Sequence, residues 1–219
     1  MIREFFKCNE SEIDKLTEEE VYFRDFLKAL LQMKCEYKDQ YRCYDHDNGP
    51  YFVERVSAYE LYHQFRKIMD KNKENYEGVY LNGEPRKEGK FYEKLSLEFN
   101  SCYPDLVLHK NLREVDPDGQ YLLCEMKTIV NFNIIEDLEK LKRLEDCELH
   151  FKYYIFLLIN GELSKIKAKI QRAKSKNEGI LSSFSKNTVC VSLLLDEKIE
   201  GGIKIEYCRL GEIIENLKE

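Results

Sequence analysis

The chain has 219 residues, with 35 Lys and Arg against 41 Asp and Glu and a formal net charge of −6. That length supports one full hydrophobic core, and the acidic balance speaks against strong nonspecific nucleic-acid binding, which draws on cationic surface. No apolar run approaches the roughly 20 residues that span a bilayer, the opening MIREFFKCNESE is charged rather than leader-like, and the eight cysteines include no Cys-x-x-Cys pair. The expectation is one domain over residues 1–219, cytoplasmic, with reduced thiols and no membrane partner.

Thr17-x-x-Glu20 has the form of a capping box opening a helix to about Lys34. Val21, Phe26, Leu27 and Leu30 give that helix a broad apolar face. Residues 1–50 are read as a helical extension, with Tyr37–Asn48 as loop. His46, between two aspartates, is either a metal ligand or a turn histidine, and Cys35, Cys43 and His46 lack the fourth ligand of a zinc site.

A second helix is predicted from Ser57 to Asp70, burying Ala58, Leu61, Tyr62, Phe65, Ile68 and Met69. Glu60 borders that stripe. Ser57-x-x-Glu60 is also a capping-box pattern, in which Glu60 bonds back to Ser57. His63 and Arg66, one turn on, either face a substrate or lie on the surface, the second being the preferred reading. Val79–Lys87 and Lys94–Phe99 both read as strands, and either is the first strand of the sheet. Glu84, just before Pro85, has a functional or a turn role.

From Tyr103 the sequence reads YPDLVLHK, then a polar loop with DPDG, then YLLCEMKT. Leu106–Leu108 and Tyr121–Cys124 are apolar and β-prone, and Asp116-Pro117-Asp118-Gly119 between them is a strong turn signal. A hairpin centred near Glu114–Val115 sets Asp105 opposite Glu125, with Cβ atoms roughly 4.5–5.5 Å apart. Glu125 and Lys127 share a strand face, so the three side chains converge. Two carboxylates suit Mg²⁺ (or Mn²⁺), hard ions that prefer oxygen ligands and retain water. A lysine beside them suits charge developing on a phosphoryl group.

The helix predicted over Ile134–Leu149 packs Ile134, Ile135, Leu138, Leu141 and Leu144. Asp137, Lys140, Lys142 and Arg143 fall on or near its other side. Tyr153–Ile159 is apolar on both faces, as a central strand covered by helices is. The basic run ELSKIKAKIQRAKSKN, with Lys169 and Arg172 at its middle, is a solvated helix or a phosphate-contacting one. Val189–Leu195 and Ile203–Tyr207 read as strands and Leu210–Leu217 as a short helix. No Walker-type glycine loop, Gly-x-Ser-x-Gly or dinucleotide fingerprint is present.

Pro104-Asp105 followed by Glu125-x-Lys127 at a strand end resembles the PD-(D/E)xK nuclease superfamily, over roughly residues 57–160. Glu-x-Lys alone carries little weight where 35% of residues are charged; the Pro-Asp, the hairpin and the order of elements carry the resemblance. It implies an α/β (α+β) restriction-endonuclease-like core: a helix, three antiparallel strands, a second helix and a further strand in a mixed sheet flanked by helices. Residues 1–50 and 161–219 lie outside that core. The resemblance further implies Asp105 and Glu125 as metal ligands and Lys127 as the catalytic lysine. It also implies an acid on the first core helix, for which Glu60 is a candidate, an additional acid such as Glu84, and a substrate-touching polar residue on the second helix, for which Lys140 is a candidate. Lys169 and Arg172 are further substrate-binding candidates. The expected activity is Mg²⁺-dependent phosphodiester hydrolysis, with DNA as the partner. A homodimer is compatible with cutting both strands of a duplex. The alternative is a non-catalytic nucleic-acid-binding or protein-interaction module on the same fold.

Overall fold

A computed structural model describes residues 6–7, 13–16, 20–33, 42–45, 49–83, 104–110, 117–128, 133–146, 150–182, 184, 187–196, 198 and 202–216. Its centre is β6 (Gln120–Thr128), β7 (Tyr153–Ile159) and β8 (Thr188–Leu195), three parallel strands. On one side β5 (Leu106–Lys110) and then β4 (Val79–Gly83) add antiparallel. On the other, β9 (Ile203–Arg209) adds antiparallel, followed by the two-residue β1 (Phe6–Lys7). The result is a mixed sheet in the order β1-β9-β8-β7-β6-β5-β4.

Parallel neighbours need crossovers, and helices supply them. The helix α3 (Ile134–Asp146) joins β6 to β7, and α4 (Leu163–Ser182) joins β7 to β8. Because the strands advance in one direction across the sheet, right-handed crossovers put both helices on one face. Val107, Leu123, Phe156 and Cys190 pack there against Leu138, Leu141, Ile166 and Ile170, together with α5 (Leu210–Asn216). The opposite face carries α1 (Val21–Leu31) and α2 (Glu54–Lys71), with Phe26, Leu30, Leu61 and Phe65 against Leu122, Cys124, Met126 and Leu157. Alternation along the strands decides the face: Ile155 and Leu157 lie under α1 and α2, while Phe156 and Leu158 lie under α3 and α4. The helix read as part of an N-terminal extension thus covers the same face as α2. Tyr76 secures it, its hydroxyl donating to the buried Asp25 carboxylate at 2.9 Å.

Three expectations are corrected. The Ser57-x-x-Glu60 capping box is not formed, because α2 begins at Glu54 with Val53 as N-cap. Ser57 is already inside the helix, and its hydroxyl donates to the Val53 carbonyl at 3.1 Å. Part of the Tyr37–Asn48 loop is a strand: β2 (Arg42–Asp45) pairs with β3 (Gly49–Phe52) in a two-stranded ribbon. The β-prone Tyr44 and Cys43 beside it suit a strand. Asp137 does not face away from the core; it is buried.

Thr17, His46, Glu84, Lys94–Phe99 and Cys35 lie outside the described residues. No described helix is long and apolar enough to cross a membrane.

Candidate active site

The ladder between β5 and β6 pairs Leu106 with Cys124, Val107 with Leu123 and Leu108 with Leu122. This is the register expected for the hairpin, with an irregularity between Leu108 and His109. Asp105 stands just outside the ladder, one residue before β5 begins. Its N–H donates to the Cys124 carbonyl at 3.0 Å, and its Oδ2 accepts the Met126 N–H at 2.7 Å. Pro104, just before it, is buried. The Asp105 carboxylate is held at the end of β6 by the Met126 N–H, within electrostatic reach of Glu125 and Lys127.

Glu125 is 4% exposed. Its Oε1 receives two ammonium groups, Lys127 Nζ at 2.9 Å and Lys140 Nζ at 3.4 Å. Lys127 Nζ also donates to the Met126 carbonyl at 2.8 Å and to Glu54 Oε1 at 3.3 Å. Lys140 lies 3.6 Å from the Asp137 carboxylate on the same helix. The cluster thus joins β5, β6, the first turn of α2 and the first two turns of α3. It stands at the carboxyl end of the central parallel strands, where open α/β sheets offer their crevices to ligands.

Burial, and then the Glu125 charge, raise the Asp105 carboxyl from its ordinary 3.8 to about 7, against the lowering pull of the Met126 N–H and Lys127. Burial would lower Lys127, but Glu125 foremost, with Glu54 and Asp105, raises it above the ordinary lysine value. Burial raises Asp137. Lys140, which burial would lower, is raised by Glu125 and Asp137. Shifts with such causes are arranged where charged groups share a dry site.

Asp105, Glu125, Lys127 and Lys140 come together. Glu60 does not join them: it accepts a hydrogen bond from Gln64 Nε2 at 2.6 Å, and it lies about 9 Å further along the helix than Glu54. Lys169 is half-buried and Arg172 exposed on α4, outside the ion pairs that join the cluster. Two acids that were not among the site candidates are present: Glu54, and Asp137, which was expected on the helix's other side. Each had a signal. Glu54 is in phase with Ala58, Leu61 and Phe65, and Asp137 with Ile134, Leu141 and Leu144. An acid continuing an apolar helical stripe points inward.

Neither family models, curated proteins nor solved structures match this chain.

Among the described residues, no group of three or more His, Cys, Asp or Glu side chains is arranged to hold a metal ion. The donor set nevertheless suits a hard divalent cation. The carboxylates of Glu54, Asp105, Glu125 and Asp137 meet the ammonium groups of Lys127 and Lys140, an excess of two negative charges when all are ionised. Mg²⁺ is commonly held by one or two carboxylates with water completing its shell. A separate cavity of about 680 Å³, lined by Arg66, Asp70, Lys73, Tyr76 and Tyr80 among others, lies at the far end of α2 and includes none of these groups. The buried acids and lysines meet at the cluster, not in that cavity.

Proposed function

We propose that this chain is a Mg²⁺- or Mn²⁺-dependent nuclease of the PD-(D/E)xK type that hydrolyses phosphodiester bonds in DNA. The observation that carries the reading is the meeting of Asp105, Glu125 and Lys127 at the carboxyl end of β6. The element order α2, β4, β5, β6, α3, β7 supports a restriction-endonuclease-like core, being the order that the resemblance implies.

Asp105 and Glu125 would hold the ion, with Glu54, rather than Glu60, as the acid on the first core helix. A bound divalent ion supplies Lewis-acid polarisation of the phosphoryl oxygen and a more acidic attacking water. Lys127 orients that water or steadies charge on the phosphate. Lys140 reaches the same space from α3 and suits a phosphate oxygen. Asp105 serves as a ligand in its ionised form, so the ion competes with the proton that burial favours on this carboxyl in the metal-free protein.

One observation favours the non-catalytic alternative: the described acids form no three-ligand group. Incubating the purified protein with DNA and RNA, with Mg²⁺ or Mn²⁺ and with chelator, separates the two readings. The nuclease reading expects metal-dependent cleavage that Lys127→Ala removes. Cleavage that survives in Lys127→Ala overturns it, and binding without cleavage under any metal selects the alternative.

A further inference from the structure

We infer that the Lys127 and Lys140 ammonium groups occupy the cation position of Glu125, and that a divalent ion displaces them, so that ion binding and release of both lysines are one event. The inference rests on the proposed function and concerns how that site is switched on.

Glu125 is 4% exposed, and burying a carboxylate costs free energy unless a cation is paired with it. Both of its nearest cations converge on the same oxygen, Oε1, at 2.9 and 3.4 Å. That oxygen is then already neutralised, and an incoming dication competes with two ammonium groups for it. Cations crowded onto one carboxylate repel, strongly so where solvent is scarce. The lysines must leave as the ion arrives.

The hydrogen bonds of Lys127 give this displacement a consequence. An ammonium group has three donors. Lys127 Nζ has three acceptors: Glu125 Oε1, Glu54 Oε1 and the Met126 carbonyl. None of its donors remains for a water or a phosphate oxygen. A dication bound by Glu125 and Glu54 removes two of these acceptors and turns the lysine toward substrate. Lys140, with its side chain 40% exposed, has only Asp137 as its other carboxylate partner among the ion pairs described, at 3.6 Å. It can swing outward without leaving α3. The lysines are thus engaged by the protein until the ion is in place, which keeps them from assisting a reaction that lacks its metal.

The test uses the full chain and Ca²⁺, an oxygen-seeking ion, read by titration calorimetry without substrate. Removing a competing cation should tighten binding, so Lys127→Met and Lys140→Met are expected to bind Ca²⁺ about tenfold more tightly than the unmodified protein. Lys127→Arg, which keeps the charge, should stay near the unmodified affinity. In the unmodified protein, Ca²⁺ should also increase reductive methylation of Lys127, and Asp105→Asn should abolish that increase. The labelling arm and Lys140→Met decide the question even if Lys127→Met folds poorly. Ca²⁺ binding that is present but unchanged or weakened by loss of the lysines overturns the displacement and leaves the nuclease reading standing. Tighter binding without any cleavage of DNA or RNA keeps the displacement and removes the nuclease. Absence of Ca²⁺ binding in every variant overturns both.

Discussion

Glu54 and Lys127 are 73 positions apart in the chain, yet Oε1 of one lies 3.3 Å from Nζ of the other. The contact brings the first turn of α2 to the end of β6 and makes Glu54, not Glu60, the acid of α2 that meets the cluster. Glu54 is 38% exposed, so the ion pair itself contributes at most about 1 kcal/mol to stability. Glu54→Gln should therefore leave the melting temperature nearly unchanged while reducing divalent-ion affinity or cleavage roughly 10–100-fold. Glu60→Gln should change neither. Calorimetry with Ca²⁺ and a cleavage assay on both variants check the contrast.

Asp105 gives a pH dependence whose sign can be worked out. Its folded pKa, about 7, is above its ordinary 3.8. Between those values the folded protein holds a proton that the unfolded chain has lost, so this group makes stability fall as pH rises through the window. The full effect is on the order of 4 kcal/mol at most. With chelator present, Asp105→Asn should be more resistant to urea than the unmodified protein at pH 8, and the difference should shrink toward pH 4. A variant less stable at pH 8 contradicts the raised carboxyl.

His109 acts in the opposite sense. It is fully buried, and burial lowers its pKa below the ordinary 6.5, partly offset by the Lys110 carbonyl. Nδ1 lies 2.7 Å from that carbonyl, which can only accept, so Nδ1 carries the hydrogen and Nε2 accepts from Asn82 Nδ2 at 3.2 Å. The unfolded chain gains a proton first as pH falls, so the stability from this group is complete above 6.5 and lost below it. Nitrogen-15 NMR of the imidazole at pH 7 should show the Nδ1–H tautomer. In Asp105→Asn, where that residue's opposing slope is removed, stability should fall less, or rise more, with pH up to about 6.5 than in the unmodified protein.

Lys169 and Arg172 on α4 test whether the basic helix contributes to binding. If it meets the phosphate backbone, Lys169→Ala and Arg172→Ala should each lower the salt dependence of DNA binding by about one unit of log–log slope. The cleavage rate at saturating substrate should be unchanged. An unaltered slope assigns both residues to the solvated face of the helix.

The central strands and the hairpin register were legible because their signals are local. Tyr153–Ile159 is continuously apolar, and it is a strand covered on both faces. The turn signal with its flanking apolar runs yields the pairing of Leu106 with Cys124, which brings Asp105 beside Glu125. Glu54 was harder to see, since its place depends on where α2 begins. The serine that looked like a cap is one turn inside the helix, and the true N-cap, Val53, makes no side-chain cap. Asp137 was missed for a related reason. Charge suggested an outward face, whereas its phase with Ile134 and Leu141 put it inward, where Lys140 pairs with it. A helix's tertiary partners decide such positions, and the local sequence does not name them.

The parity of β6 has a practical consequence for anyone who wishes to modify this chain. Cys124 and Met126 project beneath α1 and α2, while Glu125 and Lys127 project into the cluster. Asp105 is secured by the main-chain N–H of Met126, not by its side chain. The methionine can therefore be exchanged for another apolar residue of similar volume, such as leucine, at a cost usually below about 1.5 kcal/mol, while the tether that aims the aspartate persists. Core packing and the charged cluster occupy alternate residues of one strand, so a hardened scaffold and an altered cluster can be sought separately and then combined.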